Sequence, residues 1–228
     1  MLLALGLALA FTLATRLWGI DYLLPHRTEP DRELAQQVIV LGCGDPRALE
    51  SPVMAKYPWL IARLAALGYD ARDPGADLDE QSIDEHAARC AEPSARVRRL
   101  VAWLGLLLVP ATWLLGRAFL RPLDALLAAC IVAASLLQHS FSQQARPHAP
   151  AASLALLALL ASMRLAKHGR MRDWMLASIA SGLAIGALHS GIATLLPLAT
   201  AAALRLRRDG LASAWRLLVP LATTVLAV

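Results

Sequence analysis

Apolar residues run in blocks far longer than the period of an amphipathic surface helix, and polar residues collect between the blocks. A helix needs roughly 20 mostly apolar residues to cross a ~30 Å hydrocarbon layer. Met1–Ile20 is the first such block, with Arg16 as its only charge. Leu100–Gly116 is the second, Ala125–Ala145 the third, and Ala149–Met163 a short fourth that Arg164 extends by snorkelling. Trp174–Leu204 is uncharged for 31 residues, and Leu217–Val228 is a last apolar run in which the sequence ends. The expectation from that ending is the amino-terminal half of a longer protein.

The first block reads as an uncleaved anchor or as a signal peptide. It lacks a basic start, and Arg16-Leu17-Trp18 looks like an interfacial anchor rather than a cleavage site, which favours the anchor. The 31-residue run also has two readings. One continuous helix would be ~46 Å long. Two short spans turning near His189-Ser190-Gly191 return the basic stretch after them to the side it is expected to occupy. The broken pair is preferred, and interrupted helices of this kind often line a site.

The connectors set the orientation. Gly116–Pro122 carries Arg117 and Arg121; Arg164–Asp173 carries Arg164, Lys167, Arg170 and Arg172; Arg205–Gly210 carries Arg205, Arg207 and Arg208. Such basic loops are expected in the cytoplasm, which places residues 21–99 and the connector Gln138–Ala149 outside. Trp18, Trp113, Trp174 and Trp215 fall near span ends and read as an aromatic belt. The expected organisation is a first transmembrane helix over 1–20, an outward loop over 21–99, and a bundle of about five further spans over 100–228. The fold class is all-α, integral to the membrane.

Composition agrees. Of 228 residues 57% are apolar and only 17% charged, with a mean hydropathy of +0.52. A soluble domain usually carries about a quarter charged residues. The net charge of +5 conceals a partition. Residues 21–99 hold 14 of the 17 acidic side chains against 10 basic ones; the remainder holds 12 basic and 3 acidic. The basic excess therefore lies in short loops between apolar runs. That excludes a nucleic-acid-binding domain and leaves membrane lipid as the expected partner.

The acidic segment reads as short helices at the membrane surface. Pro30-Asp31-Arg32-Glu33 opens one that runs through Val40, with acids in its first turn where the helix dipole favours them. Gly42-Cys43-Gly44-Asp45-Pro46 stops it. Ser51-Pro52 begins a second, through about Leu67, with Tyr57, Trp59 and Leu60 on an interfacial face. Tyr69–Asp79 is a polar loop, and Asp79–Cys90 a third, charged helix.

Glu29, Asp31 and Glu33 form a tight acidic cluster just after the first span. A carboxylate there can take a proton from an acceptor, or hold a divalent cation. Helix capping and solubility are the alternatives. Arg146-Pro147-His148 lies at an outward end, where Arg suits phosphate oxygens; an interfacial anchor is the alternative. His139, His148 and His189 all fall at outward ends, but no pair has a helical ligand spacing. His86 and Cys90 lie four apart, too few to define a metal site. Cys43 and Cys90 share the outward compartment, where a disulfide between them can form; Cys130 lies in a span and is expected to pack.

These residues resemble a known pattern. Arg16-Leu17-Trp18-Gly19-Ile20-Asp21-Tyr22-Leu23-Leu24-Pro25, then Glu29-Pro30-Asp31, resembles the start of bacterial family 39 glycosyltransferases, which are similar to protein O-mannosyltransferases and aminoarabinose transferases. Gly44-Asp45-Pro46 and Lys56-Tyr57-Pro58-Trp59-Leu60 resemble that family's first loop. Arg98/Arg99, Leu115-Gly116-Arg117, Ala145–Pro150, and Gly182-Leu183-Ala184 through Pro197 continue the likeness in order. The resemblance implies a GT-C-type polytopic helical bundle with a long outward first loop containing surface helices. It implies a polyprenyl-phosphate sugar donor, an acceptor it does not name, and reaction with inversion on the outer face of the cytoplasmic membrane.

Asp31 matches the family's first-loop catalytic Asp, a base or a residue holding a metal near it, with Glu29 and Glu33 as supporting acids. Arg146, Arg98 and Arg99 are physical candidates for the donor phosphate, and His148 and His189 for polar roles in the site. The sequence departs from the pattern in three places. Arg32 follows Asp31 where an acidic pair is common. His148 stands where many members carry Asp, and Leu188 where many carry Lys. Two rivals to a transferase follow. One is a transporter or lipid-handling protein, suggested by the interrupted run. The other is a non-catalytic relative that binds lipid-linked sugar, suggested by the altered polar set.

Overall fold

The computed structural model describes residues 2–21, 32–43, 57–69 and 83–210. The described residues are helical with no strand, which makes this an all-α membrane protein. The helices are α1 (Leu2–Leu17), α2 (Arg32–Cys43), α3 (Leu60–Ala66), α4 (Ile83–Leu106), α5 (Leu108–Phe119), α6 (Pro122–Ala134), α7 (Leu136–Ser142), α8 (His148–His168), α9 (Met171–Ala187) and α10 (Leu195–Asp209). A 3-10 turn, His189–Thr194, joins the last two.

Two helical stretches among the described residues are long and apolar enough to cross a membrane: Ala91–Phe119, through α4 and α5, and α8. The pair α6 and α7 makes a third if its 54° bend is counted within one span; α1 is a shorter apolar helix. The bend has a local cause. Ser135 leaves the helical region (φ −64, ψ 115), and its Oγ accepts a hydrogen bond from the Gln138 N–H, starting α7 as a new helix. The charged helix expected over Asp79–Cys90 is not separate. Its described part runs on as α4 into the second apolar run without a break, with Pro93 inside it.

The 31-residue uncharged run divides. α9 ends at Ala187, Leu188 is extended (φ −157, ψ 139), and α10 runs back beside α8. Gly191 is what lets the turn fold this tightly, since a Cβ there would overlap the Ala184 carbonyl. The hairpin of α5 and α6 depends on the same device, because a Cβ at Gly116 would stand 2.9 Å from the Ala125 Cβ.

One core cluster ties the loop helices to the bundle. Leu34 and Val38 of α2 and Ile61, Ala62 and Ala65 of α3 are buried with Val97 and Val101 of α4, Ala149 and Leu154 of α8, and Ala184 and Ala187 of α9. Thus α2 and α3 sit over one end of the bundle. At the other end Trp174 is buried with Leu165, Ala177, Leu198, Ala201 and Ala202. This corrects its reading as a belt residue: the first turn of α9 tucks under α10, so the indole faces inward at 1% exposure. Trp18, at 84% exposure, remains on the surface, Trp113 is half-buried, and Trp215 lies outside the described residues. Cys130 is free and packs beside Val109 and Leu126, as expected.

Candidate functional site

The C-terminal half of α1 presents Thr12 and Arg16 on one inward face, both buried, with Arg16 at 1% exposure. This corrects its reading as an interfacial anchor. Residues four apart share a helix face, and in an otherwise apolar span a polar face turns inward. α1 then ends at Gly19 (φ 69). Carbonyls at that end are satisfied by the residue that follows α7: Gln143 Nε2 donates to Thr15 O (3.2 Å) and Trp18 O (3.1 Å).

Four helices converge on Arg16 because α4 carries Gly105 there. A Cβ at Gly105 would stand 3.0 Å from Ser142 Oγ, 3.3 Å from the Ala149 Cβ and 3.4 Å from Arg16 Nη1. Ser142 Oγ donates to Gln138 O (2.7 Å), and Ser153 Oγ to Ala149 O (3.0 Å) and Gly105 O (3.4 Å). Neither Arg16 Nη1 nor Nη2 has a hydrogen-bond partner, and Gln138 Nε2 is likewise buried and unpartnered. A cation buried among apolar helices without a partner is costly.

The other candidate cations at this end have protein contacts. Arg98 is buried, and its Nη1 donates to Ile20 O at 2.7 Å, pinning the exit of α1 to α4. Arg99 is exposed and pairs with Asp21 at 3.2 Å. Arg146 lies over Phe141, 6.0 Å from the ring centroid, and His148 stacks on the same ring at 5.6 Å. Phe141 therefore brings Arg146 and His148 together, a role nothing in its sequence position announces.

Glu33 sits half-buried in the first turn of α2. Asp31 and Glu29 lie outside the described residues. On either side of them, Asp21 pairs with Arg99 of α4, and α2 is buried with α4. His189 is exposed in the 3-10 turn. The side chains of Cys43 and Cys90 lie outside the described set, and so does His86. Among the described residues no group of three potential metal ligands occurs.

An open groove of about 650 Å³ adjoins this end, lined by Asp21, Leu64, Leu67, Glu92, Arg96 and Arg99 among others. Its charges are matched: Arg96 pairs with Glu92 at 2.9 Å and lies over Tyr69, and Arg99 pairs with Asp21. Arg146, His148 and His189 do not line it.

Sequence reasoning missed Arg16, Gln138 and Ser142 as a group. The available signal was the lone charge in the first apolar run, one turn after Thr12. The junction with α7 was not legible, because it depends on the bend at Ser135.

Against known proteins, a family model described as dolichyl-phosphate-mannose-protein mannosyltransferase matches residues 91–228. No curated protein and no solved structure matches the chain.

Proposed function

Because the chain belongs to the dolichyl-phosphate-mannose-protein mannosyltransferase family, and so to the membrane glycosyltransferases of the GT-C type, we propose that it moves a sugar from a polyprenyl-phosphate donor to an acceptor on the outer face of the cytoplasmic membrane. The family match over residues 91–228 is the observation that carries this reading. In this reading the chain crosses the membrane several times, with its basic connectors in the cytoplasm and residues 21–99 outside.

Asp31 is the proposed base, with Glu29 and Glu33 beside it. The acceptor's nucleophilic atom bonds to the anomeric carbon from the face opposite the phosphate and gives its proton to the carboxylate. The anomeric C–O bond breaks with its electron pair passing to the phosphate oxygen. Cations near that oxygen lower the barrier by opposing the growing charge. Arg146, Arg98 and Arg99 are proposed for this role, and His148 and His189 as polar groups facing donor or acceptor. The burial of α2, which carries Glu33 in its first turn, with α4 and α8 is what supports this reading.

The test is sugar transfer from polyprenyl-phosphate donors by the complete purified protein. Asp31→Asn is expected to lower turnover by at least a hundredfold with donor binding retained. Full activity in that variant removes Asp31 from the mechanism. A second reading, a non-catalytic relative that binds lipid-linked sugar, is favoured by Leu188. It stands where many family 39 members carry Lys, and it packs against the core cluster. Turnover by the intact protein eliminates this reading.

A further inference from the structure

Among the described residues one buried cation has no answering group. Arg16 is buried and both terminal nitrogens lack partners, while Asp21 pairs with Arg99 and Glu92 with Arg96. An unpaired charge buried in an apolar bundle is not a stabilising device, and a hydrophobic residue of similar volume would serve the fold better. From this we infer that Arg16 is the receptor for the singly charged phosphodiester of a membrane-borne lipid donor, a role not assigned to it above. The inference rests on the glycosyltransferase reading for the identity of the lipid.

Three observations point to that ligand. A guanidinium presents a planar fork that suits two phosphate oxygens, and the two nitrogens that would form it are both open. A further buried donor without a partner, Gln138 Nε2, stands on α7, the helix that brings Ser142 to Arg16. The depth fits as well. Arg16 lies in the last turn of α1, just inside the exposed Trp18, where a lipid phosphate would reach while its chain stays in hydrocarbon. The seven-residue α7 begins at the 54° bend, and its Leu136 (84% exposed) and Leu137 (67%) face outward with Leu7 and Phe11 of α1. An apolar exterior beside a buried cation suits an amphiphile better than a free anion.

The experiment measures binding to the complete protein in nanodiscs, using polyprenyl phosphate, inorganic phosphate and phosphatidylglycerol as separate probes. Wild type is expected to bind polyprenyl phosphate, and Arg16→Met to weaken this at least tenfold with its thermal midpoint unchanged or raised. Unchanged binding in Arg16→Met, or a lowered midpoint with normal binding, overturns the inference. If Arg16→Met does not fold, Arg16→Lys decides: weakened binding at a normal midpoint supports the assignment, and unaltered binding overturns it. Arg16-dependent binding of inorganic phosphate or phosphatidylglycerol as tight as that of polyprenyl phosphate overturns the donor assignment. Arg16-dependent binding of polyprenyl phosphate without sugar transfer ends the catalytic reading and leaves this inference standing. Transfer with Arg16-independent binding does the reverse.

Discussion

The two ends of the bundle use arginine differently. At the end carrying the connectors after α8 and α10, the basic side chains finish helix termini. Arg205 Nε donates to Leu165 O at 3.0 Å, Arg208 Nη1 to Ala166 O at 3.3 Å, and Arg164 reaches Asp173 at 3.8 Å. Both carbonyls lie in the last turn of α8, which stops at Gly169 (φ 65), and cations suit the negative end of a helix dipole. At the opposite end Arg98 does the same for Ile20, but Arg16, equally buried, does nothing for any carbonyl or acid. The first end answers its cations with its own carbonyls and acids. The second holds, among the described residues, a buried cation that no protein group answers.

The comparison requires the second end to be rigidly framed, and Gly191 tests that most severely. Gly191→Val drives a branched side chain into the Ala184 carbonyl and adjoining backbone, which cannot swing aside. The expected loss is about 3 kcal/mol, read from denaturant unfolding in micelles. A wild-type midpoint would mean that the turn between α9 and α10 is not held against α9. The next effect separates the two buried arginines. Arg98→Met leaves the Ile20 carbonyl without its charged donor and should cost about 2 kcal/mol by the same measurement. Arg16→Met should cost nothing. Equal losses at both positions would erase the difference between them.

The helical architecture was legible because apolar runs of span length admit few alternatives, and the break at His189–Gly191 was legible because Gly interrupts a run too long for one helix. The family resemblance rested on short motifs in order, and the later part of the chain, residues 91–228, is where the family model matches. Trp174 and Arg16 misled for one physical reason: each is amphipathic, and sequence position near a span end does not say whether the side chain faces lipid or a neighbouring helix. For Arg16 that choice is made by Gly105 on α4, 89 positions away in the sequence, which opens the space. The pairing of Arg146 and His148 on Phe141 depends on the short α7, whose start is a single hydroxyl cap at Ser135.

The smallest expected loss of stability sharpens the contrast between the ends. Arg205 is nearly buried, with its side chain 11% exposed, so on burial alone it resembles Arg98. Its carbonyl partner is less dependent on it, however. Leu165 O also accepts from the Gly169 N–H at 2.9 Å, and the Arg205 guanidinium spends part of its charge on Asp209 at 3.6 Å. Arg205→Met therefore removes one of two bonds to a carbonyl that stays satisfied, and should cost only about 1 kcal/mol. Polyprenyl phosphate binding should not change. That pairing, a modest stability loss with intact binding, is the mirror image of the result expected for Arg16→Met. If Arg205→Met instead weakened binding as much as Arg16→Met does, the lipid phosphate would be answering to the overall basic charge of the bundle, and the buried guanidinium would lose its special place.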